Sequence, residues 1–282
     1  MSDEISVNIW NKIVSTGIIE DQCDQNVKKI IINMCSSTMD QNIDFDPLNH
    51  LDKETQHVCF FVACMFCNDP NIIKYLINEI KMDPYHIDID DEKNNCLILA
   101  CRKNTNLEII KYLINDIGMD INHTNNYGNN CFLSACLGNT NLEIIKYLIN
   151  EIKTDINHLN KYGDNCLTLA CQENTNLEII KYLINDVKMD INHINSFGDN
   201  CLLSACFKNA NLEIIKYLIN DIKMDINCTD CYGDNCLLAA CFKNANLEII
   251  KYLINDVKMD INQTVENDDN CFTLACRCNT NL

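Results

Sequence analysis

The side chains with the greatest chemical potential are the cysteines, which can form disulfides, bind zinc or act as nucleophiles. The 282-residue sequence has 20 of them. Equivalent cysteines in a helical stack lie about 10 Å apart, beyond the roughly 7 Å that a disulfide allows. We therefore predict free thiols that serve as small buried apolar residues. Twelve of them recur in pairs at a spacing of 35 residues: Cys96 and Cys101, Cys131 and Cys136, Cys166 and Cys171, Cys201 and Cys206, Cys236 and Cys241, and Cys271 and Cys276.

Two other patterns contain residues that bind metals. Cys228-Thr-Asp-Cys231 is a C-x-x-C on a predicted loop, but it supplies only two of the four ligands that zinc needs. His123, His158 and His193 recur every 35 residues, too far apart to share one ion. We predict that these histidines form hydrogen bonds at the base of a loop, and that the chain has no metal site and no cofactor.

Each repeat is predicted to contain two helices and a loop that position these side chains. In one repeat the first helix is expected to span 165–172, with Asn165 as its N-cap. The second is expected to span 177–187, where polar residues at helical spacing leave one narrow solvent stripe. In the earliest copy, Asp69-Pro70 at this point is a helix-start signal. The loop ends at Gly198, where a positive φ is expected.

The repeat resembles the ankyrin repeat. Gly163, Leu167, Ala170, the apolar run 177–183 and Asp190-Ile-Asn occupy places that correspond to the family pattern. Three features depart from it: Thr-Pro becomes Asn-Cys, the second Ala becomes Cys, and the Gly-His turn becomes Asn-(Thr/Ala)-Asn. The resemblance covers residues 55–282 and implies an all-α, ankyrin-like helix-turn-helix repeat solenoid with a 35-residue period.

The chain is predicted to have two parts. Residues 1–54, which include Trp10 and a weak repeat copy near 26–40, are expected to form a degenerate N-terminal cap. Residues 55–282 are expected to form the array, with seven first helices, six complete second helices and a truncated last repeat. The composition, rich in Asn, Ile and Lys, resembles that of the divergent ankyrin-type proteins of giant DNA viruses of amoebae, although an AT-rich protist is an alternative source.

Charge and missing motifs exclude several classes of function. The formal net charge is −18, so a nucleic-acid or anionic-membrane binder is not expected. The acidic run at 88–92 lacks the spacing of a calcium loop, which favours a solvated insertion. The sequence shows none of the phosphate-loop, G-x-S-x-G or H-E-x-x-H signatures, so we expect neither catalysis nor a small-molecule substrate. We expect a cytoplasmic monomer that binds an unidentified protein.

The ankyrin resemblance implies that the positions varying between repeats lie on a partner-binding surface. Phe207 and Phe242 occupy the same place in neighbouring repeats, and two interpretations of them stay open. The rings form an exposed aromatic anchor with a lysine rim, or they fold back onto the stack. The varied positions at the end of the first helix and at the loop tip are Arg102, Lys103, Leu137, Gln172, Glu173, Phe207, Lys208, Phe242, Lys243, Thr124, Asn126, Leu159, Lys161, Ile194, Ser196 and Thr229.

Three functional hypotheses follow from the repeat array. The first is a non-catalytic protein-interaction scaffold, which would act on host proteins if the chain is viral. The second is a structural repeat protein with little specific binding, favoured by the near-identity of the repeats. The third is an adaptor with an effector module, such as an F-box, beyond residue 282.

Overall fold

The computed structural model describes residues 11, 13–15, 25–36, 43–87, 92–209, 211–244, 246–265 and 269–278. Within these ranges the regular structure is helical, apart from one isolated antiparallel bridge between Ile87 and Asn95. Trp10 and most of the acidic run at 88–92 lie outside the described residues. In the ranges that are described, no helix combines the length and the apolar character needed to cross a lipid bilayer.

The described helices confirm the predicted all-α repeat architecture. The helix Gln25–Ser36 and the short 3₁₀ helix Asp46–His50 come before the repeats. The first helices are Lys53–Phe66, Cys96–Lys103, Cys131–Gly138, Cys166–Glu173, Cys201–Lys208, Cys236–Lys243 and Cys271–Cys278. The second helices are Pro70–Asn78, Leu107–Lys111, Leu142–Asn150, Leu177–Asn185, Leu212–Lys216 and Leu247–Asn255. Two of these continue as π-helical turns, Tyr112–Asp116 and Tyr217–Asp221.

Polar side chains that cap the backbone fix where the helices begin. As predicted, Asn165 caps a first helix: its side chain accepts a hydrogen bond from the Thr168 N–H at 2.9 Å. Asp69 caps the helix that starts at Pro70, also as predicted. Second helices elsewhere begin after an asparagine; Asn176, for example, accepts from the following Glu178 N–H at 3.0 Å.

A residue in the left-handed conformation follows shortly after the end of each second helix, which the repeat pattern did not predict. The helix expected to reach residue 187 ends at Asn185. Lys188 then adopts φ 63°, and the Met189 N–H donates back to the Leu183 carbonyl at 3.0 Å. Gly118 has φ 73° at the equivalent place in an earlier repeat. A lysine in this conformation carries the steric cost that glycine avoids.

The chain divides into two compact units: Met1–Asn126 with Asn130–Ala135, and Tyr127–Asn129 with Cys136–Leu282. Within each unit, first helices pack against first helices of the next repeat, as Cys166–Glu173 does against Cys201–Lys208. The five first helices between Cys96 and Lys243 are buried over most of their length, whereas Cys271–Cys278 exposes Phe272 and Cys276. Because the constant apolar residues build this core, the varied residues are left at its margins.

Candidate interaction surface

A buried asparagine holds the turn between the two helices of a repeat. Asn174 is 1% exposed, and its Nδ2 donates to the carbonyls of Cys136 at 2.9 Å and Asn139 at 2.7 Å, one repeat earlier. Its Oδ1 accepts from the Asn176 N–H at 2.9 Å. Both the nitrogen and the oxygen of the Asn174 amide therefore have hydrogen-bond partners. The side chain joins neighbouring repeats and leaves none of its own polar atoms buried and unpaired. The same arrangement recurs at Asn104, Asn209 and Asn244.

Neighbouring loops of the second unit are tied together by backbone hydrogen bonds. Gly198 has φ 84°, as expected, and a Cβ placed there would lie 2.8 Å from the Cys231 nitrogen. The loops therefore approach each other so closely that a side chain does not fit at this glycine. Each loop donates one N–H to the loop before it, at 2.7–2.9 Å: Lys161 to Tyr127, Ser196 to Tyr162, and Cys231 to Phe197.

These loops carry exposed aromatic residues that were not among the predicted surface positions. The residue before each loop glycine is aromatic, and we call Tyr127, Tyr162, Phe197 and Tyr232 the loop aromatic row. Their exposed fractions lie between 37% and 63%. Ring centroids are 6.4 Å apart from Tyr127 to Tyr162 and 5.9 Å apart from Tyr162 to Phe197. The sequence does contain a signal for this row: an aromatic residue precedes the turn glycine in successive repeats, at a place where no core position is predicted.

Two of the three histidines, His158 and His193, form the hydrogen bonds predicted at the loop base, whereas the prediction is wrong for His123, whose Nε2 is buried without a hydrogen-bond partner among the described residues. His158 Nε2 lies 2.9 Å from the Gly128 carbonyl oxygen, and His193 Nε2 lies 2.7 Å from that of Gly163. Each bond joins a loop to the loop of the preceding repeat. These two histidines therefore have a structural role that repeats along the stack.

A second polar ladder runs through the loops and is interrupted at Asp230 and again at Val265, where the repeats lack its asparagine. Asn195 Nδ2 donates to Asp164 at 2.8 Å and reaches Asp199 at 3.5 Å. The equivalent residue in the next repeat is Asp230, which has no amide to donate. Burial raises the pKa of Asp199, and the charges of Asp230 and other carboxylates add to the shift. The Oδ1 atom of Asp234 is buried without a hydrogen-bond partner.

The described cysteines are free thiols, and eleven of the twelve repeat cysteines are buried as predicted, whereas Cys276 is exposed. The buried cysteines do more than fill space. Cys201 Sγ donates to the Ile191 carbonyl at 3.6 Å, and Cys271 Sγ to the Ile261 carbonyl at 3.3 Å. Thiols of neighbouring repeats also meet diagonally. A hydrogen bond between the thiols of Cys171 and Cys201, together with burial, raises the pKa of Cys171 far above the usual range.

The C-x-x-C loop contains two free thiols in different surroundings. Cys231 is exposed, whereas Cys228 is half-buried and accepts a hydrogen bond from Asn200 Nδ2 at 3.3 Å. A hydrogen bond with Cys236, and then burial, raises the pKa of Cys228. Among the described residues, His, Cys, Asp and Glu side chains form no group of three or more that is suited to a metal ion.

Phe207 and Phe242 form a stacked pair that is open to solvent. Their ring centroids are 6.0 Å apart at an interplanar angle of 18°. Phe242 is 37% exposed and Phe207 is half-buried, so neither ring is enclosed in the core. Lys243 Nζ lies 5.3 Å from the Phe207 ring centroid, and Lys208 forms an ion pair with Glu173.

The other predicted surface positions differ in how well their exposure suits partner contact. Leu137 is 7% exposed, so its side chain belongs to the core and it drops out of the candidate surface. Its apolar side chain packs inward at a helix end where other repeats have polar or aromatic residues. Arg102 forms an ion pair with Glu92 at 3.7 Å. Lys103, Gln172, Glu173 and Asn126 are half-buried, whereas Thr124, Leu159, Lys161, Ile194, Ser196 and Thr229 are exposed.

Comparison with protein families agrees with the observed repeat geometry. The family model described as ankyrin repeats (three copies) matches residues 25–125, 60–158, 97–195, 132–230 and 203–281. Together these matches cover far more than half of the chain. The chain is an ankyrin-repeat protein. The first match starts at residue 25, so it includes the helix Gln25–Ser36 within the region predicted as a cap. No curated protein matches the sequence.

Ankyrin repeats are generally protein–protein interaction modules, and the family is typically non-catalytic. The departures of this chain from the family pattern now have physical explanations. Asn174 and its equivalents replace the usual turn with a turn that bonds to the preceding repeat. The cysteines supply weak hydrogen bonds as well as small volume.

Proposed function

We propose that this ankyrin-repeat protein is a non-catalytic scaffold that binds another protein through its first-helix ends and its loop tips. The stacked pair of Phe207, which is half-buried, and Phe242, which is exposed, carries the proposal. Aromatic side chains on a rigid support are the usual anchors of protein interfaces. The support here is rigid because the buried asparagine ladder and the linked loops fix neighbouring repeats against each other.

The proposed partner-binding positions are the predicted ones except Leu137, and each unit contributes its own set. In the second unit its first-helix ends contribute Gln172, Glu173, Phe207, Lys208, Phe242 and Lys243, and its loop tips contribute Leu159, Lys161, Ile194, Ser196 and Thr229. In the first unit the candidates are Arg102, Lys103, Thr124 and Asn126. The exposed loop aromatic row extends the candidate surface of the second unit.

The source and the setting are part of the proposal. The composition, rich in Asn, Ile and Lys, supports a viral origin, in which case the protein acts on host proteins in the host cytoplasm. The net charge of −18 supports a monomer that stays dispersed until it meets its partner. It also favours a protein over a nucleic acid as that partner.

Affinity capture from host lysate tests the proposal. We expect the double variant Phe207→Ala with Phe242→Ala to lose the captured partner. Phe272→Ala is the matched control, because this ring is 73% exposed but lies outside the proposed surface. Circular dichroism melting then checks that all variants fold. Retention of the partner by the folded double variant would contradict the proposal.

A structural repeat protein with little specific binding is the second candidate. The near-identity of consecutive repeats favours it, because few positions differ enough to define a partner. In that case the wild-type protein captures no partner that the double variant loses. Capture of one protein at a defined stoichiometry would favour the scaffold.

A further inference from the structure

The aromatic pair lies beside lysines that differ in how their charge is balanced. Lys208 forms an ion pair with Glu173, one repeat earlier. The Lys243 ammonium instead lies over the Phe207 ring, and no ion pair involves it among the described residues. We call Phe207, Lys208, Phe242 and Lys243 the aromatic–lysine surface.

In the second unit, the lysine of each second helix forms an ion pair within its own helix. Lys181, Lys216 and Lys251 each form an ion pair, at 2.7–2.9 Å, with the glutamate three residues earlier. Lys216 Nζ also lies over a ring, that of Tyr252, at 5.9 Å. Lys243 therefore combines a ring contact with an unbalanced charge, in a chain that has 40 acidic and 22 basic residues.

We propose that the aromatic–lysine surface binds an acidic peptide segment of the partner protein. An apolar side chain of that segment packs on the two rings, and a carboxylate next to it pairs with Lys243. The inference rests on the proposed scaffold function and adds the chemistry of the partner. A basic segment fits less well, because it would place a cation beside an ammonium that has no counter-charge.

The negative charge of the whole protein does not prevent this contact. At physiological ionic strength the Debye length is about 8 Å, so groups at the contact outweigh distant ones. The glutamates of the second helices are engaged by their own lysines, which reduces their effect on an approaching carboxylate. The contact energy is therefore decided mainly by the rings, by Lys243 and by the Lys208–Glu173 pair.

Fluorescence anisotropy with labelled ten-residue probes tests the inference on the full chain. One probe carries leucines flanked by glutamates, and a second has lysines in place of the glutamates. We expect the acidic probe to bind at least about tenfold more tightly than the basic probe. Lys243→Glu should weaken binding of the acidic probe by about tenfold. Lys216→Glu makes the same charge change at another lysine over a ring, and it should leave the affinity for the acidic probe unchanged.

The outcomes separate this inference from the proposed function. If lysate capture depends on the two phenylalanines but the probes bind equally, the scaffold stands and the acidic-segment inference is wrong. Equal weakening by Lys216→Glu and Lys243→Glu would also overturn it, because the effect would then reflect net charge alone. Loss of the acidic probe in the phenylalanine double variant, with the fold retained, would support it.

Discussion

Asp230 interrupts the polar ladder of the loops, and replacing it with asparagine should stabilise the protein. Asp230 Oδ1 accepts from the N–H groups of Tyr232 at 2.8 Å and Asp234 at 2.9 Å. Asn195 makes the equivalent two bonds one repeat earlier, at 2.9 Å each. The turn is therefore the same, and Asp230→Asn restores only the missing amide donor and removes one negative charge.

The expected gain follows from the groups around that position. The restored amide would donate to Asp199, and the charge of Asp230 would no longer raise the pKa of Asp199 and Asp234. A hydrogen bond to a charged group contributes about 1.5–3 kcal/mol. Because these carboxylates are partly exposed, solvent screening reduces that figure. We expect Asp230→Asn to raise the free energy of unfolding by about 1–2 kcal/mol at pH 7.

The sign of the pH dependence distinguishes this explanation from a general propensity effect. Burial is the main cause that raises the folded-state pKa of Asp199 and of Asp234, and like charges add to it. Carboxyl groups with raised folded-state pKa values destabilise the fold at neutral pH, and this penalty is relieved as the pH falls through those values. The gain from Asp230→Asn should therefore be greatest near pH 7 and shrink toward about pH 4.

Urea denaturation followed by circular dichroism between pH 4 and pH 7 measures both quantities. Asn195→Asp is the converse control, since it places a carboxylate between Asp164 and Asp199 and should destabilise the chain most at pH 7. A gain for Asp230→Asn that stays the same at every pH would refute the charge argument. No gain at pH 7 would refute the proposed role of the missing amide.

Three further predictions concern the framework. Asn209→Ala removes the amide that donates to the carbonyls of Cys171 at 2.7 Å and Asn174 at 2.9 Å. It should lower the free energy of unfolding, measured by urea denaturation, by about 3–5 kcal/mol. Gly198→Ala should lower the melting temperature more than Gly118→Ala does. A Cβ at residue 198 would lie 2.8 Å from the Cys231 nitrogen, whereas a Cβ at residue 118 meets open space. An equal fall in melting temperature for the two variants would contradict the close approach of the loops. Lys188→Gly should stabilise the fold by about 0.5–1 kcal/mol, since φ is 63° there, and a loss would show that the lysine side chain matters more.

Local signals in the sequence predicted most of the architecture. A helix start depends on a capping side chain and its nearest neighbours, so Asn165 and the Asp69-Pro70 pair could be assigned from the sequence alone. The positive φ of Gly198 was also predictable from a local signal, because glycine adopts this conformation without a steric cost. Lys188 was not, because lysine has no preference for the left-handed conformation and its position depends on where the helix stops packing.

The sequence by itself determined the repeat, its two helices and its 35-residue period, because these follow from residue spacing along the chain. Only the tertiary structure decided what the side chains of neighbouring repeats do to each other. Three of these interactions are between residues about one repeat apart in sequence: the hydrogen bonds of Asn174, the stacking of Phe207 on Phe242, and the repulsion between Asp230 and the carboxylates near it. Such contacts depend on the distance and angle between stacked helices, which are set by packing and not by any single repeat.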